Sequence, residues 1–152
     1  MNFSVSVCSI ATLIILLVSN AFADTVDFCH LYRNGKLIAD FLSTNAPVSV
    51  ELDTLREGDV FSFSHFSDNK WTHNKIIRLL REDNTLLTEI TSYEADEFAP
   101  VLFNGAALQK YFERYPEKSV SLIYGELYPE KATYYLDTMI VFRLKGKERQ
   151  KE

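Results

Sequence analysis

Residues 65–75 read HFSDNKWTHNK and gather two of the three histidines, an aspartate, two asparagines and the only tryptophan. Two chemistries suit these residue types. His65 and His73 could share a transition-metal ion, with His30 as a third ligand, because imidazole nitrogens bind Zn²⁺ or Cu²⁺ and a catalytic zinc site takes three protein ligands. Alternatively, Phe66 and Trp71, with Asp68 and Asn69 at the tip of a turn, form an aromatic platform ringed by polar groups. That is the composition of a recognition loop gripping a sugar, a peptide or a protein. Strand register decides between the two. A two-residue turn at Asp68-Asn69 makes Phe66 face Trp71, His65 face Thr72 and Ser64 face His73, which puts the two imidazoles on opposite faces. Only a bulge or a longer loop would bring them together. His65 shares parity with Phe61 and Phe63 and is expected on the buried side, with Phe66 on the outer face. The simplest hairpin therefore makes a plain turn with incidental polar residues the first reading, the aromatic recognition loop the second and the metal site a distant third.

Other nucleophile and metal patterns are weak. Ser64 and His65 are neighbours on a strand, so their side chains point apart and cannot form a nucleophile–base pair. The chain holds no G-x-S-x-G, no H-E-x-x-H and no glycine-rich phosphate loop, and its five glycines are scattered. The carboxylates Glu94, Asp96 and Glu97 lack EF-hand spacing and read as a solvated acidic loop. Cys29 has only His30 beside it to favour a thiolate and reads as a small buried strand residue. No cofactor is expected, and an enzyme is the less favoured class.

The elements that position these residues begin after residue 23. Ile10 to Val18 is an apolar run of signal-peptide length, followed by Ala21-Phe22-Ala23, an A-x-A cleavage pattern. Residues 1–23 are read as a cleaved signal, and the mature chain is expected to be secreted or periplasmic, with no stable membrane insertion after cleavage. The 24–144 segment is the length of one domain. Its one cysteine permits no internal disulfide, so packing must stabilise the fold. The net charge of −5 lies entirely beyond residue 23 and argues against nucleic acid, whose backbone requires a basic footprint.

Short alternating runs broken by turns every 8 to 12 residues point to an all-β, antiparallel β-sandwich. About eight or nine strands are expected, arranged in an immunoglobulin-like or jelly-roll manner. Asn34-Gly35 is a type I′ turn signal that pairs Arg33 with Lys36, Tyr32 with Leu37, Leu31 with Ile38 and Phe28 with Phe41. A second hairpin about Asp83-Asn84 pairs Leu80 with Leu87, Arg78 with Glu89 and Ile77 with Ile90. The period changes at NGAALQKYFERYPEK: Asn104 is a candidate N-cap, and Leu108, Tyr111, Phe112 and Tyr115 share one face of a helix spanning about 104–115, which Pro116 ends. Residues 145–152 form a charged, solvated tail.

These features favour an exported, non-enzymatic module that binds a protein or carbohydrate partner in the cell envelope or outside the cell, with Phe66, Asp68, Asn69 and Trp71 at the contact. One alternative is a small metal-binding protein or enzyme using His30, His65 and His73. Another is an inhibitor or accessory subunit acting through an edge strand.

Overall fold

A computed structural model describes residues 27–43, 46–66, 74–93, 99–128 and 133–145. The segment expected to be a signal, the carboxylates Glu94, Asp96 and Glu97, residues 146–152, and residues 67–73 of the opening stretch, which include Asp68, Asn69, Trp71 and His73, lie outside the described residues. Nine strands and one helix follow in order: β1 (Phe28–Arg33), β2 (Lys36–Leu42), β3 (Val48–Leu52), β4 (Val60–Phe66), β5 (Asn74–Arg81), β6 (Leu86–Ser92), β7 (Val101–Asn104), α1 (Ala106–Arg114), β8 (Ser119–Tyr128) and β9 (Thr133–Leu144). They form a four-stranded sheet, β2-β1-β4-β7, and a five-stranded sheet, β3-β9-β8-β5-β6. The inner faces of both sheets contribute to one hydrophobic core.

Two expectations change here. The pairing is not wholly antiparallel: β3 runs parallel to β9, with Val48 opposite Ile140 and Leu52 opposite Leu144. Parallel neighbours require a long connection, and residues 53–132 supply it. More consequentially, β4 and β5 are not a hairpin. β4 lies between β1 and β7, whereas β5 lies between β8 and β6 in the other sheet. The pairs Phe66–Trp71, His65–Thr72 and Ser64–His73 need adjacent strands, and these strands have their neighbours elsewhere. The chain instead passes from one sheet to the other between Phe66 and Asn74.

The two remaining hairpins form with local shifts. Asn34 (φ 52°) and Gly35 (φ 77°) supply the positive φ values of the first turn, and Arg33–Lys36 and Tyr32–Leu37 pair as expected. A bulge at Ile38 then moves the register, so Leu31 faces Ala39, Cys29 faces Phe41 and Phe28 faces Leu42. The extra residue turns Phe41 towards the core and Leu42 outward. In the second hairpin the loop has three residues, closed by Arg81 N donating to Thr85 O at 2.9 Å and Asn84 (φ 63°) N donating to Arg81 O at 2.9 Å. Leu80 consequently pairs with Leu86, not Leu87, and a compensating bulge restores Arg78–Glu89 and Ile77–Ile90.

Alternation builds the core. Phe61 and Phe63 of β4 are fully buried, and Phe61 stacks on Phe103 at 5.1 Å while meeting the edge of Phe142 at 5.8 Å. Helix α1 carries the chain from β7 in one sheet to β8 in the other and lays Leu108, Tyr111 and Phe112 on that core. Its N-cap is Gly105, one residue later than expected. Asn104 Oδ1 accepts from Ala106 N at 3.3 Å, and Gly105 N donates to Asp59 O at 2.7 Å. Among the described residues no helix is long and apolar enough to cross a membrane.

Candidate functional site

Strand alternation separates the two described histidines. His65 lies on the inner face of β4, opposite Cys29 of β1, while His30 is opposite Ser64 and points outward. Each imidazole has a carboxylate of its own: His30 Nε2 lies 3.3 Å from Asp40 Oδ1, and His65 Nδ1 lies 3.1 Å from Glu126 Oε1. The sheet between them keeps His30 and His65 from a common metal ion, and no group of three or more His, Cys, Asp or Glu among the described residues has metal-binding geometry.

Phe66 points outward and belongs to an aromatic column on the outer face of the four-stranded sheet. Its ring stacks on Phe28 at 4.8 Å and 18°, meets the edge of His30 at 5.4 Å, and His30 in turn meets Tyr32 at 6.0 Å and 87°. β2 and β7 extend this column with aliphatic groups, since Leu42 is opposite Phe28, Leu37 opposite Tyr32 and Leu102 opposite Ser62. Phe28, Leu37, Leu42, Val60 and Leu102 are all exposed, the last at 58%. Isolated exposed apolar side chains are ordinary, whereas these lie on one sheet face, in rows on either side of Asp40–His30–Ser64. Charge on this face is low, and its ion pair is His30–Asp40.

The inner face at the same end of the sandwich is polar. Glu126 Oε1 accepts a hydrogen bond from Tyr124 Oη at 2.5 Å and contacts His65 Nδ1. The His65 and Tyr124 rings lie 5.1 Å apart. Asp27, Ser43, Asp137 and Met139 complete a cleft of about 140 Å³ between the sheets. Asp27 Oδ1 is buried there without a hydrogen-bond partner among the described residues. Burial, followed by the charges of Asp27 and Glu126, pushes the Cys29 thiol up to about 12. It is therefore a protonated thiol near neutral pH and no nucleophile, despite facing His65. A carboxylate beside an imidazole is half of an acid–base device, and among the described residues no hydroxyl or thiol is hydrogen-bonded to His65, although Ser43 lines the same cleft. Lys75, also inward-facing, is opposite Glu126 on β5 and donates through Nζ to Ala99 O at 2.6 Å.

Sequence reasoning missed Glu126, Tyr124 and Lys75 because no motif joins residues drawn from separate strands. A signal was present nonetheless. In VSLIYGEL, Val120, Leu122, Tyr124 and Glu126 share parity, and in NKIIRLL so do Lys75, Ile77 and Leu79. A charged residue at the end of a buried stripe is the pattern to look for.

The opposite end of the sandwich holds a closed polar knot. Asp59 is 4% exposed. Its Oδ2 accepts from Arg33 Nε at 3.1 Å, Arg33 Nη2 at 2.5 Å and Arg56 N at 2.8 Å, and its Oδ1 accepts from Asn34 Nδ2 at 2.7 Å. Burial alone would raise this carboxyl. The hydrogen bonds from Asn34, Arg56 and Arg33, together with the guanidinium charge, outweigh it and hold the pKa at about 2. Asn34 adds a peptide-like pair, donating from N to Val60 O at 2.8 Å and accepting at Oδ1 from Val60 N at 2.9 Å. Arg33 Nη2 also donates to Thr54 O. These groups satisfy one another and fasten the first hairpin to the loop before β4.

No protein-family model matches the chain, and neither a curated protein nor a solved structure matches it.

Proposed function

We propose that this is an exported, non-enzymatic recognition module whose contact surface is the outer face of the four-stranded sheet. The observation that carries the reading is a pair of apolar rows on this face, Leu42–Phe28–Phe66 and Leu37–Tyr32 with Leu102, separated by the row Asp40–His30–Ser64, whose His30–Asp40 contact is the ion pair described on it. A protein partner suits this face better than a sugar. The Phe28 and Phe66 rings stack on one another, which occupies one face of each, and the most exposed side chains of the surface, Leu42, Leu37, Val60 and Leu102, offer no hydrogen bonds to hydroxyl groups. Asp68, Asn69 and Trp71 belong to the proposal because their segment leaves β4 directly after Phe66. Export rests on the apolar run and A-x-A pattern of residues 1–23.

An immunoglobulin-like arrangement is part of the same reading. β4 and β7 are neighbours in one sheet and β5, β8 and β9 in the other, as strands B and E, and C, F and G, are in such domains. The connections after β4 and after β8 then correspond to loops that cluster at one end of variable domains, where partners are bound. Edge-strand recruitment is less supported at three of the four edges, because β2 and β6 are bulged and β7 has four residues, devices that blunt an edge, and the fourth, β3, has five residues.

A photo-crosslinking residue at position 102, in the exporting cell, tests the surface. The expected result is one discrete adduct that disappears with Leu42→Lys and is absent when the crosslinker replaces Glu89 on the other sheet. Equal labelling at both positions would sink the proposal. Tryptophan emission that is blue-shifted and insensitive to soluble quenchers would remove Trp71 from the contact.

A further inference from the structure

The helix between the sheets ends in a feature that partner binding on the outer face does not use. Tyr115 shares the apolar helical face in sequence, yet it lies at the C-cap and is 39% exposed. Tyr111, one turn earlier, is buried, and the two rings lie 5.3 Å apart at 47°. The turn between β5 and β6 brings Arg81, Glu82 and Asp83 to the tyrosines, and Lys118 closes the border. Together these six residues line a cleft of about 400 Å³, within the size range of small-ligand sites.

The chemistry of the walls is mixed in a particular way. Lys118 Nζ pairs with Glu82 Oε2 at 3.0 Å. Asp83 Oδ1 is held by Thr85 Oγ1 at 2.6 Å and Thr85 N at 3.0 Å, which fixes the carboxylate on the turn and lowers its pKa. The Arg114 guanidinium lies 5.4 Å from the Tyr115 ring centroid and braces the ring at the helix end.

We propose that this cleft binds a neutral saccharide. A sugar ring has a face of C–H groups, which packs on an aromatic ring, and a rim of hydroxyls that both donate and accept hydrogen bonds. Tyr115 supplies the ring, Arg81 and Lys118 supply donors, and Glu82 and Asp83 supply acceptors. Other ligand classes fit less well. An anion would meet Glu82 and Asp83 at close range, and a cation would meet Arg81 and Lys118. An apolar segment would desolvate four charged groups and offer none of them a hydrogen bond. The Thr85 hydrogen bonds hold Asp83 and the Lys118 ion pair holds Glu82 before a ligand arrives, which reduces the ordering cost of binding.

The test is titration of the full-length mature protein, ¹⁵N-labelled, with chitotriose, cellotriose and maltotriose in turn. At least one trisaccharide is expected to give saturable amide shifts centred on residues 81–83 and 111–118. Tyr115→Ala should weaken that binding about tenfold or more, the scale of one lost stacking contact. Tyr115→Phe should keep most of it, and Arg81→Gln should weaken it with the ring intact, so a disturbed helix end is separable from lost recognition. Leu102→Lys should leave it unchanged, which separates this site from the outer-face surface. The proposal is overturned if none of the three sugars shifts these amides, if the shifts lie on the outer face, or if Tyr115→Ala binds as tightly as the parent.

Discussion

The two ends of the sandwich treat a buried carboxylate differently. At one end Asp59 receives four hydrogen bonds spread over both oxygens, from a guanidinium, an amide side chain and a backbone N–H. At the other, Glu126 Oε1 accepts from Tyr124 Oη and lies 3.1 Å from His65 Nδ1, beside an open cleft in which Asp27 Oδ1 has no partner among the described residues. A buried charge stabilises a fold only when its hydrogen-bonding capacity is matched on the spot, because desolvation is otherwise the larger effect. The Asp59 end meets that condition and is a structural latch. The Glu126 end is a polar interior with space beside it, adjoining the aromatic face assigned to recognition.

The largest expected effect tests the latch. Asp59→Ala leaves Asn34 Nδ2 and Arg56 N without their acceptor and Arg33 without its counter-charge, with Thr54 O as its remaining acceptor, and should cost about 3–5 kcal/mol, read as a fall in the urea midpoint. A loss below about 1 kcal/mol would erase the distinction between the ends. Acid provides a second measure on the unmutated protein. The folded pKa of Asp59 is depressed from an ordinary 3.8 to about 2. Its contribution is therefore fully present above pH 4 and is lost as pH falls from about 4 towards 2. The shift corresponds to at most roughly 2 kcal/mol. Asp59→Asn should flatten the stability profile in that window, whereas Glu126→Gln should leave the Asp59 step in place.

How these two ends arise explains what could be read from the chain. The latch is nearly local in its logic: Asn34-Gly35 is a turn written in sequence, and Arg33 is carried by it. The strand periods, the helix face and the Arg78–Glu89 pair were legible for the same reason, since short-range alternation and turn chemistry set them. What local pattern cannot specify is which strand lies beside which. β4 and β5 each have good alternation, and a hairpin was the simplest partner choice, yet each satisfies its edges in a different sheet. The Glu126 cluster depends wholly on that choice, because His65 and Glu126 stand 61 positions apart and meet only when the sheets pack. The bulges at Ile38 and Leu87 were illegible for a smaller reason: either register buries an apolar stripe, and core packing selects between them.

Gly105→Ala gives the next smaller effect and reports on the latch from the helix side. The backbone there is ordinary (φ −76°), so the glycine is not required by conformation. Space requires it: an added Cβ would stand 3.1 Å from Asp59 Cβ and 3.3 Å from Arg56 O. Neither neighbour is the free end of a flexible side chain, so the loop carrying Asp59 must shift. The expected cost is about 1–2 kcal/mol. It should shrink when measured in an Asp59→Ala background, where the loop is already loosened. Full additivity would mean that the helix start and the latch are independent.

Tyr124→Phe should have the smallest effect and is the sharpest test of the open end. The substitution removes one donor to Glu126 Oε1 and leaves the ring against Phe63 and His65 at 5.1 Å each. A carboxylate sealed as Asp59 is would suffer strongly from such a loss. Glu126 keeps His65 and borders a polar cleft of about 140 Å³, room enough for water to replace the missing hydroxyl. The cost should therefore be about 1 kcal/mol or less at an unchanged urea slope, the net worth of one exchanged hydrogen bond. A loss of about 3 kcal/mol would mean that water does not reach Glu126. The two ends would then be equivalent latches, and the outer aromatic face would rest on as rigid a base as the helix does.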